Sequence, residues 1–414
     1  MTGLHKRYDI VIAGGSFVGL SLALALSRSA QGALDIAVID RTPLDVARAA
    51  AGDGRSTALT AASRHLYESI GIWGRVAPHA QPFTGIDITD SRLENAVRQT
   101  LLHFGGAESE NEADACMVEN HVLRDALLTD VQAAPGVTFL APETVAGFET
   151  SPAGARVRLG NGDTIACSLL VAADGKKSAL RRMAGIRTIG WSYPQAGIAA
   201  TLRLERPHGG RATQHFLPSG PFAILPLTDN RVSLVWTESR ARAAEIVALP
   251  DPDFLAEAKK RIGGRYGALS LAGPRASFPL DLHIARAFVA ERFALVGDAA
   301  HGVHPLAGQG LNIGLRDVAA LTEVVIDGAR LGLDPGTASE LARYERWRRF
   351  DSAFSALAMD GLNRLFSNDN ASLRAMRSVG LGLVDRAPAL KRFFVREASG
   401  LTGTVPRLLK GEPI

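Results

Sequence analysis

The stretch that most constrains this chain runs from Tyr8 to Asp40. Residues Tyr8 to Ala13 (YDIVIA) predict a buried strand. Gly14-Gly15-Ser16-Phe17-Val18-Gly19 predicts a turn into a helix that runs to about Ser27. A second strand follows over Asp35 to Ile39 and ends at Asp40. Strand, glycine turn, helix and strand in this order make a unit that can hold a dinucleotide. Gly14 permits the tight turn, and Gly19 allows helix and strand to pack closely. The helix N-terminus turns free N–H groups and a partial positive charge toward a pyrophosphate. Asp40 falls 21 residues after Gly19 (40 − 19), where a carboxylate accepts a hydrogen bond from a ribose hydroxyl. The middle glycine of G-x-G-x-x-G is replaced by Ser16. On this stretch alone, an ordinary doubly wound unit with a glycine turn remains the alternative.

Composition narrows the setting. With 414 residues the chain can hold one large or two to three ordinary domains, each with ample core. The 46 basic and 42 acidic side chains nearly cancel, so a nucleic-acid partner is not expected. Two cysteines, Cys116 and Cys167, are too few for a disulfide framework or a metal cage, and they fit a reducing compartment. No signal peptide is read before the first strand, and a cytoplasmic location is expected. Ile10 to Ser27 is 18 residues without a charge, which touches the length of a membrane span. The glycine–serine turn in its middle favours a buried strand–helix unit.

Further along, a helix is expected from about Ala61 to Ile70, with Leu66, Tyr67 and Ile70 on one face. Strands are expected over Phe83 to Asp90 and Ala96 to Phe104, then an exposed loop over Gly105 to Ala113. His121 to Ala133 predicts a helix stopped by Pro135-Gly136. Three strands in meander follow: Thr144 to Glu149, Ala155 to Leu159, and Thr164 to Ala172, with a hairpin turn at Asn161-Gly162. From about Ile186 to Phe278 the pattern is mainly sheet, with a helix over Asp253 to Ile262. A strand at Phe293 to Val296, a helix from about Gly310 to Leu331 and a mostly helical remainder complete the reading.

Two more glycine–aspartate features stand at strand ends. Ala173-Asp174-Gly175-Lys176-Lys177-Ser178-Ala179-Leu180-Arg181 reads first as a strand-ending turn. Gly297-Asp298-Ala299-Ala300-His301, followed by His304-Pro305-Leu306-Ala307-Gly308-Gln309-Gly310-Leu311-Asn312, places a carboxylate and a glycine loop before a helix. Asp298 can bind sugar hydroxyls, and the N–H groups of 308–312 can face a phosphate or an electron-rich ring. His301 and His304 are three apart, but no cysteine or further histidine stands near them, so a packed or capping role is expected and no metal.

Taken in order, the three features resemble those of the class A flavoprotein monooxygenases, whose fold is that of para-hydroxybenzoate hydroxylase. The resemblance is closer to the ubiquinone-biosynthesis hydroxylases. Asp53-x-Arg55-x-x-Ala58-Leu59, Ser63, Gly71-x-Trp73, Tyr193-Pro194-Gln195, Pro226-Leu227 and Ser233-Leu234-Val235-Trp236 carry it. The run from His301 to Val318, then Tyr344-Glu345-x-x-Arg348 and Phe366-Ser367, extend it over nearly the whole chain.

The resemblance implies an α/β fold: a Rossmann-type FAD domain of the glutathione-reductase kind, a β-sheet substrate domain and C-terminal helices. The FAD domain is expected over 1–80, 105–185 and 285–345, the substrate domain over 81–104 and 186–284, and the helical region over 346–414. Gly14, Gly15, Ser16 and Gly19 are then expected along the FAD pyrophosphate and Asp40 on the adenosine ribose. Arg55 would reach the FAD, as a guanidinium suits phosphate or flavin carbonyl oxygens. Asp298 would hold the ribitol or pyrophosphate side. Pro305, Gly308, Gly310, Leu311 and Asn312 would line the isoalloxazine edge, with His304, Pro305 and Gln309 at the reaction site. Asp174 and Arg181 would serve FAD and the nicotinamide, with Asn120 or His121 a further FAD contact.

The implied activity is hydroxylation of a polyprenylated phenol in ubiquinone biosynthesis, using FAD, NAD(P)H and O2 through a flavin C4a-hydroperoxide. A hydroxylase of a small or secondary-metabolite aromatic, or a flavin-poor scaffold in a quinone-biosynthesis assembly, are the alternatives. So apolar a substrate suggests a membrane-peripheral site or a quinone-biosynthesis complex. Lys391, Arg392, Arg396, Arg407 and Lys410, interleaved with Phe393, Phe394, Val395, Leu401, Leu408 and Leu409, fit an interfacial helix, though a core-packed end with a solvated basic face is the favoured reading.

Overall fold

The computed structural model describes residues 6–49, 54–90, 100–105, 115–302, 309–366 and 399–414. Its elements begin with β1 (Arg7–Ala13), α1 (Phe17–Ser29), β2 (Ile36–Ile39), α2 (Leu44–Ala49), β3 (Ser56–Leu59), α3 (Ala61–Ser69), α4 (Trp73–Val76), β4 (Gln81–Pro82), β5 (Gly85–Asp90) and β6 (Thr100–Phe104). Then come β7 (Cys116–Glu119), α5 (Asn120–Ala133), β8 (Val137–Leu140), β9 (Val145–Ser151), β10 (Gly154–Leu159), β11 (Thr164–Ala172) and α6 (Ala179–Met183). The middle of the chain supplies β12 (Thr188–Leu204), β13 (Arg211–Leu217), β14 (Gly220–Leu227), β15 (Arg231–Ser239), α7 (Arg240–Ala248), α8 (Asp251–Ile262) and β16 (Leu269–Ala285). Last are β17 (Val289–Ala290), β18 (Phe293–Leu295), β19 (His301–Gly302), α9 (Gln309–Arg330) and α10 (Ala338–Phe366).

Five strands, in the order β18-β11-β1-β2-β8, run parallel at the centre of the first sheet. A central parallel strand is covered on both faces, so it is apolar throughout and not alternating. Ile10, Val11 and Ile12 of β1 accordingly lose all solvent exposure. Helix α1 is buried almost all round, because it lies between this sheet and α9. Gly19 makes that seat possible: a Cβ there would stand 1.9 Å from the Gly14 carbonyl oxygen. Among the described residues no helix is long and apolar enough to cross a membrane.

The second sheet runs β19-β16-β12-β15-β14-β13-β5-β6, antiparallel except for β13 against β5. Its strands alternate, and its two faces do different work. Ile198, Phe222, Ile224, Leu234 and Trp236 turn to one side and pack under Ala243 and Ile246 of α7 and Phe254 of α8. Ala212, Ala223 and Leu225 turn to the other side and meet Ala58 of β3 and Met117 of β7. Those last two belong to a small sheet, β3-β7-β4.

Helix α10 straps the layers together. Tyr344 donates to the Leu295 carbonyl at the first sheet (2.7 Å), and Asp360 accepts from Tyr193 of the second (2.6 Å). Residues 399–414 return to the first core: Leu408 and Leu409 are buried there, and Arg407 pairs with Glu323 and Asp327 of α9. These residues are therefore core, as the favoured reading of that end has it. The other basic and apolar residues of the tail, from Lys391 to Arg396, lie outside the described residues, as do most of the expected loop over Gly105 to Ala113 and the start of the strand from Ala96.

Candidate active site

Four adjacent parallel strands, β2, β1, β11 and β18, deliver their carboxyl ends to one edge of the first sheet. Asp40, the Gly14 turn, Asp174 and Asp298 each stand just past one of these ends. That edge is where open parallel sheets bind ligands. Residues 284 positions apart in sequence (298 − 14) thus share one rim.

The glycines are forced by contacts across this rim. Gly14 has φ +119°, and a Cβ on it would lie 2.2 Å from the carbonyl oxygen of Ala173, beside Asp174. A Cβ on Gly15 would meet the Asp40 Cβ at 2.9 Å. Gly297, at φ +58°, backs onto Val18 of α1. Backbone from three strand ends is therefore pressed together, leaving N–H groups as the available lining. Ser16 is the N-cap of α1, yet its side chain makes no capping bond and is exposed. Its hydroxyl and the first-turn N–H groups face the same rim.

The carboxylates behave differently from one another. Asp40 accepts from the Gly15 N–H (2.6 Å) and the Thr42 N–H (2.7 Å), so it holds the glycine turn in shape. Asp174 caps α6 through Oδ2, accepting from Ala179 and Leu180, while its Oδ1 is buried with no hydrogen-bond partner among the described residues. Asp298 leaves its carboxylate exposed, and its carbonyl oxygen lies 2.9 Å from His283 Nε2. A free serine hydroxyl, an orphaned carboxylate oxygen and an exposed carboxylate on one glycine-lined rim fit a phosphate-and-polyol ligand.

Arg181 joins two of the strand ends. It donates from Nη1 to the Ala299 carbonyl (2.6 Å) and from Nη2 to the Lys176 carbonyl (3.1 Å). His283 sits beside them, and burial lowers its pKa, with the charges of Arg181 and Lys176 adding to that. Asp317 is the hub of the turn. Its Oδ2 accepts from the Gly297 N–H (2.8 Å) and His301 Nε2 (2.6 Å), and its Oδ1 accepts from Arg348 Nε (2.7 Å). Burial opposes its charge, but His301 and Arg348 outweigh that and hold its carboxyl below the usual range. Arg348 also pairs with Asp351, which pairs with Arg316. The sequence singled out His301 as packed and Arg348 as part of a signature. It gave no sign that Asp317 joins them, because the partners lie 16 and 31 residues away.

The α9 end of the site is held by Asn312. Its Oδ1 accepts from the Thr60 N–H and from Ser63 Oγ, and its Nδ2 donates to the Ala58 carbonyl (2.8 Å). The side chain thus points inward, which leaves the backbone of Gln309, Gly310, Leu311 and Asn312 as the helix's open end. Asn120 accepts from Thr57 Oγ1 (2.8 Å). Arg55 is exposed and stacks over Phe278 at 5.1 Å. His304, Pro305 and Gly308 lie outside the described residues. Among the described residues, no cluster of three or more His, Cys, Asp or Glu side chains could hold a metal ion.

Residues 7–346 match the FAD binding domain family. The chain is 43% identical to a protein named ubiquinone hydroxylase UbiL from Rhodospirillum rubrum, over 99% of this chain and 94% of that one. It is 35% identical to 3-demethoxyubiquinol 3-hydroxylase from Escherichia coli, over 96% of this chain and the whole of that one. Among solved structures, p-nitrophenol 4-monooxygenase PnpA from Pseudomonas putida superposes with a TM-score of 0.78 at 16% identity, over 96% of this chain and 99% of that one.

Proposed function

Since this chain belongs to the FAD binding domain family, we propose that it is an FAD-dependent monooxygenase that hydroxylates the ring of a polyprenylated phenol in ubiquinone biosynthesis. The observation that carries the reading is the convergence of Gly14, Asp40, Asp174 and Asp298 at four neighbouring strand ends. The names of the two relatives above, both ubiquinone-pathway hydroxylases, support the substrate class.

Bound FAD supplies two-electron reduction by NAD(P)H and the activation of O2. The chain's own residues do the rest. The first-turn N–H groups of α1, with Ser16, bind the pyrophosphate, and the glycines at 14, 15 and 19 let the backbone come close. Asp40 fixes that turn and faces the ribose. Asp298 accepts from the ribityl hydroxyls, while Asp317 holds its turn rigid through the Gly297 N–H. The N–H groups opening α9, over Gln309 to Asn312, stabilise negative charge on the ring edge. Arg55 would reach a carbonyl or phosphate oxygen and Asp174 with Arg181 would serve both FAD and the nicotinamide, while the family resemblance assigns His304, Pro305 and Gly308, outside the described residues, to the ring edge. The apolar face of the second sheet excludes water from the reacting ring.

The substrate's chain calls for an apolar approach. Phe350, Phe354, Leu357 and Leu365 form an exposed stripe along α10, flanked by exposed Arg346, Arg349 and Arg364. Such a face suits peripheral contact with an anionic lipid surface. Flotation with liposomes, lost on Phe354→Glu, tests this.

The decisive experiment uses purified holoenzyme with a short-chain prenylphenol, NAD(P)H and O2. The expected product carries one added ring oxygen. Colourless protein without FAD would favour the scaffold reading, and NAD(P)H oxidation without oxygen uptake would favour a reductase.

A further inference from the structure

Strand register brings one polar side chain into an otherwise apolar row. On the sheet face turned toward β3 and the opening of α9, Gln214 stands between Ile88 of β5 and Ala223 of β14. The row continues through Val235 of β15 and Ala199 of β12. Ala212, two residues before Gln214 on the same face, packs with Ala223, Ala58 and Met117. Phe216, two residues after it, stacks on Phe366 of α10 at 4.0 Å. Ala58 also receives the hydrogen bond from Asn312, so the strand this face packs on is the one that holds the first turn of α9.

Gln214 Nε2 is buried and has no hydrogen-bond partner among the described residues. A buried amide donor without a partner is costly, and folded proteins keep few of them. The two residues directly opposite it, Ile88 and Ala223, carry no polar side-chain atom that could answer it. Small side chains on two strands and aromatic rings at one end make a flat apolar floor, the shape an aromatic ring needs.

We infer that Gln214 is the donor that grips a ring oxygen of the aromatic substrate and so determines which ring carbon faces the flavin. The inference rests on the hydroxylase reading above. Gln214 takes no part in the oxygen transfer. Its Nε2–H donates to the phenol or quinol oxygen, and the sheet floor takes the ring face. A site that hydrogen-bonds a substrate oxygen discriminates strongly against an analogue lacking it, because the buried group is then left unpaired.

The test measures binding of a short-chain prenylphenol and of the matching prenylbenzene to FAD-loaded protein, followed by the change in flavin absorbance. Gln214→Met keeps the volume and removes the donor. It should weaken prenylphenol binding roughly tenfold, the size of one net hydrogen bond, and leave prenylbenzene binding unchanged. Gln214→Glu keeps the shape and reverses the polarity, and it should lose the phenol further while sparing the prenylbenzene. Turnover of Gln214→Met should show a raised KM and a changed ratio of ring isomers. Equal binding of the phenol by wild type and Gln214→Met, or equal weakening of both compounds, would overturn the assignment while leaving the hydroxylase reading intact. Wild-type holoenzyme that binds neither compound would overturn the reading itself, and this assignment with it.

Discussion

Asp317→Asn changes one atom of a fully buried side chain and should disturb both stability and cofactor binding. Three donors converge on the two oxygens of Asp317: Gly297 N–H, His301 and Arg348. An asparagine offers a single acceptor oxygen, so its NH2 must face at least one of these donors. If the oxygen stays with Arg348, the amide opposes the Gly297 N–H and the G-D turn loosens. If it turns to Gly297, Arg348 loses one of its two carboxylate partners while buried and keeps only Asp351. Removing one member of a buried ion pair costs about 3–5 kcal/mol. Unfolding entropy of about 2.1 cal/mol/K per residue over 414 residues is roughly 0.9 kcal/mol/K. The expected fall in Tm is therefore about 3–6 °C, read by calorimetry. FAD affinity, read by flavin fluorescence, should drop about tenfold as the turn carrying Asp298 loses its tether. Asp317→Asn with Arg348→Met should recover part of the Tm, since no buried guanidinium then lacks its partner. A single variant that melts within about 1 °C of wild type and binds FAD equally would refute the reasoning.

Gly19→Ala should yield protein without bound flavin, because its Cβ would stand 1.9 Å from the Gly14 carbonyl oxygen, and absorbance of the purified variant checks this. Ser16→Gly should weaken FAD binding several-fold and leave the melting of the apoprotein within a few tenths of a kcal/mol, as the hydroxyl makes no capping bond. Leu409→Ala, a buried truncation, should cost about 2–5 kcal/mol by denaturant titration. The carboxyls of Asp317 and Asp351 are both held below their ordinary pKa. Their stabilisation is complete above the unfolded value near 4 and is lost as pH falls through the depressed values. Wild-type Tm should therefore drop steeply below about pH 4, and Asp317→Asn should flatten that slope.

The first βαβ unit is legible because a buried parallel strand is a short apolar run with punctuation at both ends, and Gly14, Gly19 and Asp40 supply it. Other elements carry weaker marks. The strand Val137–Leu140 sits beside β2, yet four residues after Pro135-Gly136 show no period of their own. Strand β16 runs for 17 residues through Gly273, Pro274 and Pro279, which a sequence reading takes as breaks. Prolines are tolerated there because the ladder to β12 shifts register between Ala200 and Leu202 and between Ser192 and Ala196. Helix α7 (Arg240–Ala248) escapes notice because only Ala243 and Ile246 are buried on it. In the site, residue types near strand ends were readable, whereas long-range pairings were not. Nothing local distinguishes Asn312 as a bolt to Thr60 and Ala58 from Asn312 as a cofactor ligand, and nothing in Gln214 marks it as the one polar member of an apolar row.

The return of residues 399–414 to the first core bears on biosynthesis. His65 Nδ1 lies 3.2 Å from the Leu409 carbonyl, across 344 residues of sequence. Helix α3 carries Ser63, which holds Asn312, so the same small bundle closes the α9 end of the rim. Contacts of such separation form late, because the chain between them must first be ordered. The early strand–helix unit can collapse while the ribosome is still extending the chain, but the rim gains its fourth strand end only with β18 and its lock only with Leu409. A complete rim therefore requires residues 399–414 to have been made, and a nascent chain stalled before residue 400 would leave the surfaces of α3 and α9 that they cover exposed to chaperones and proteases.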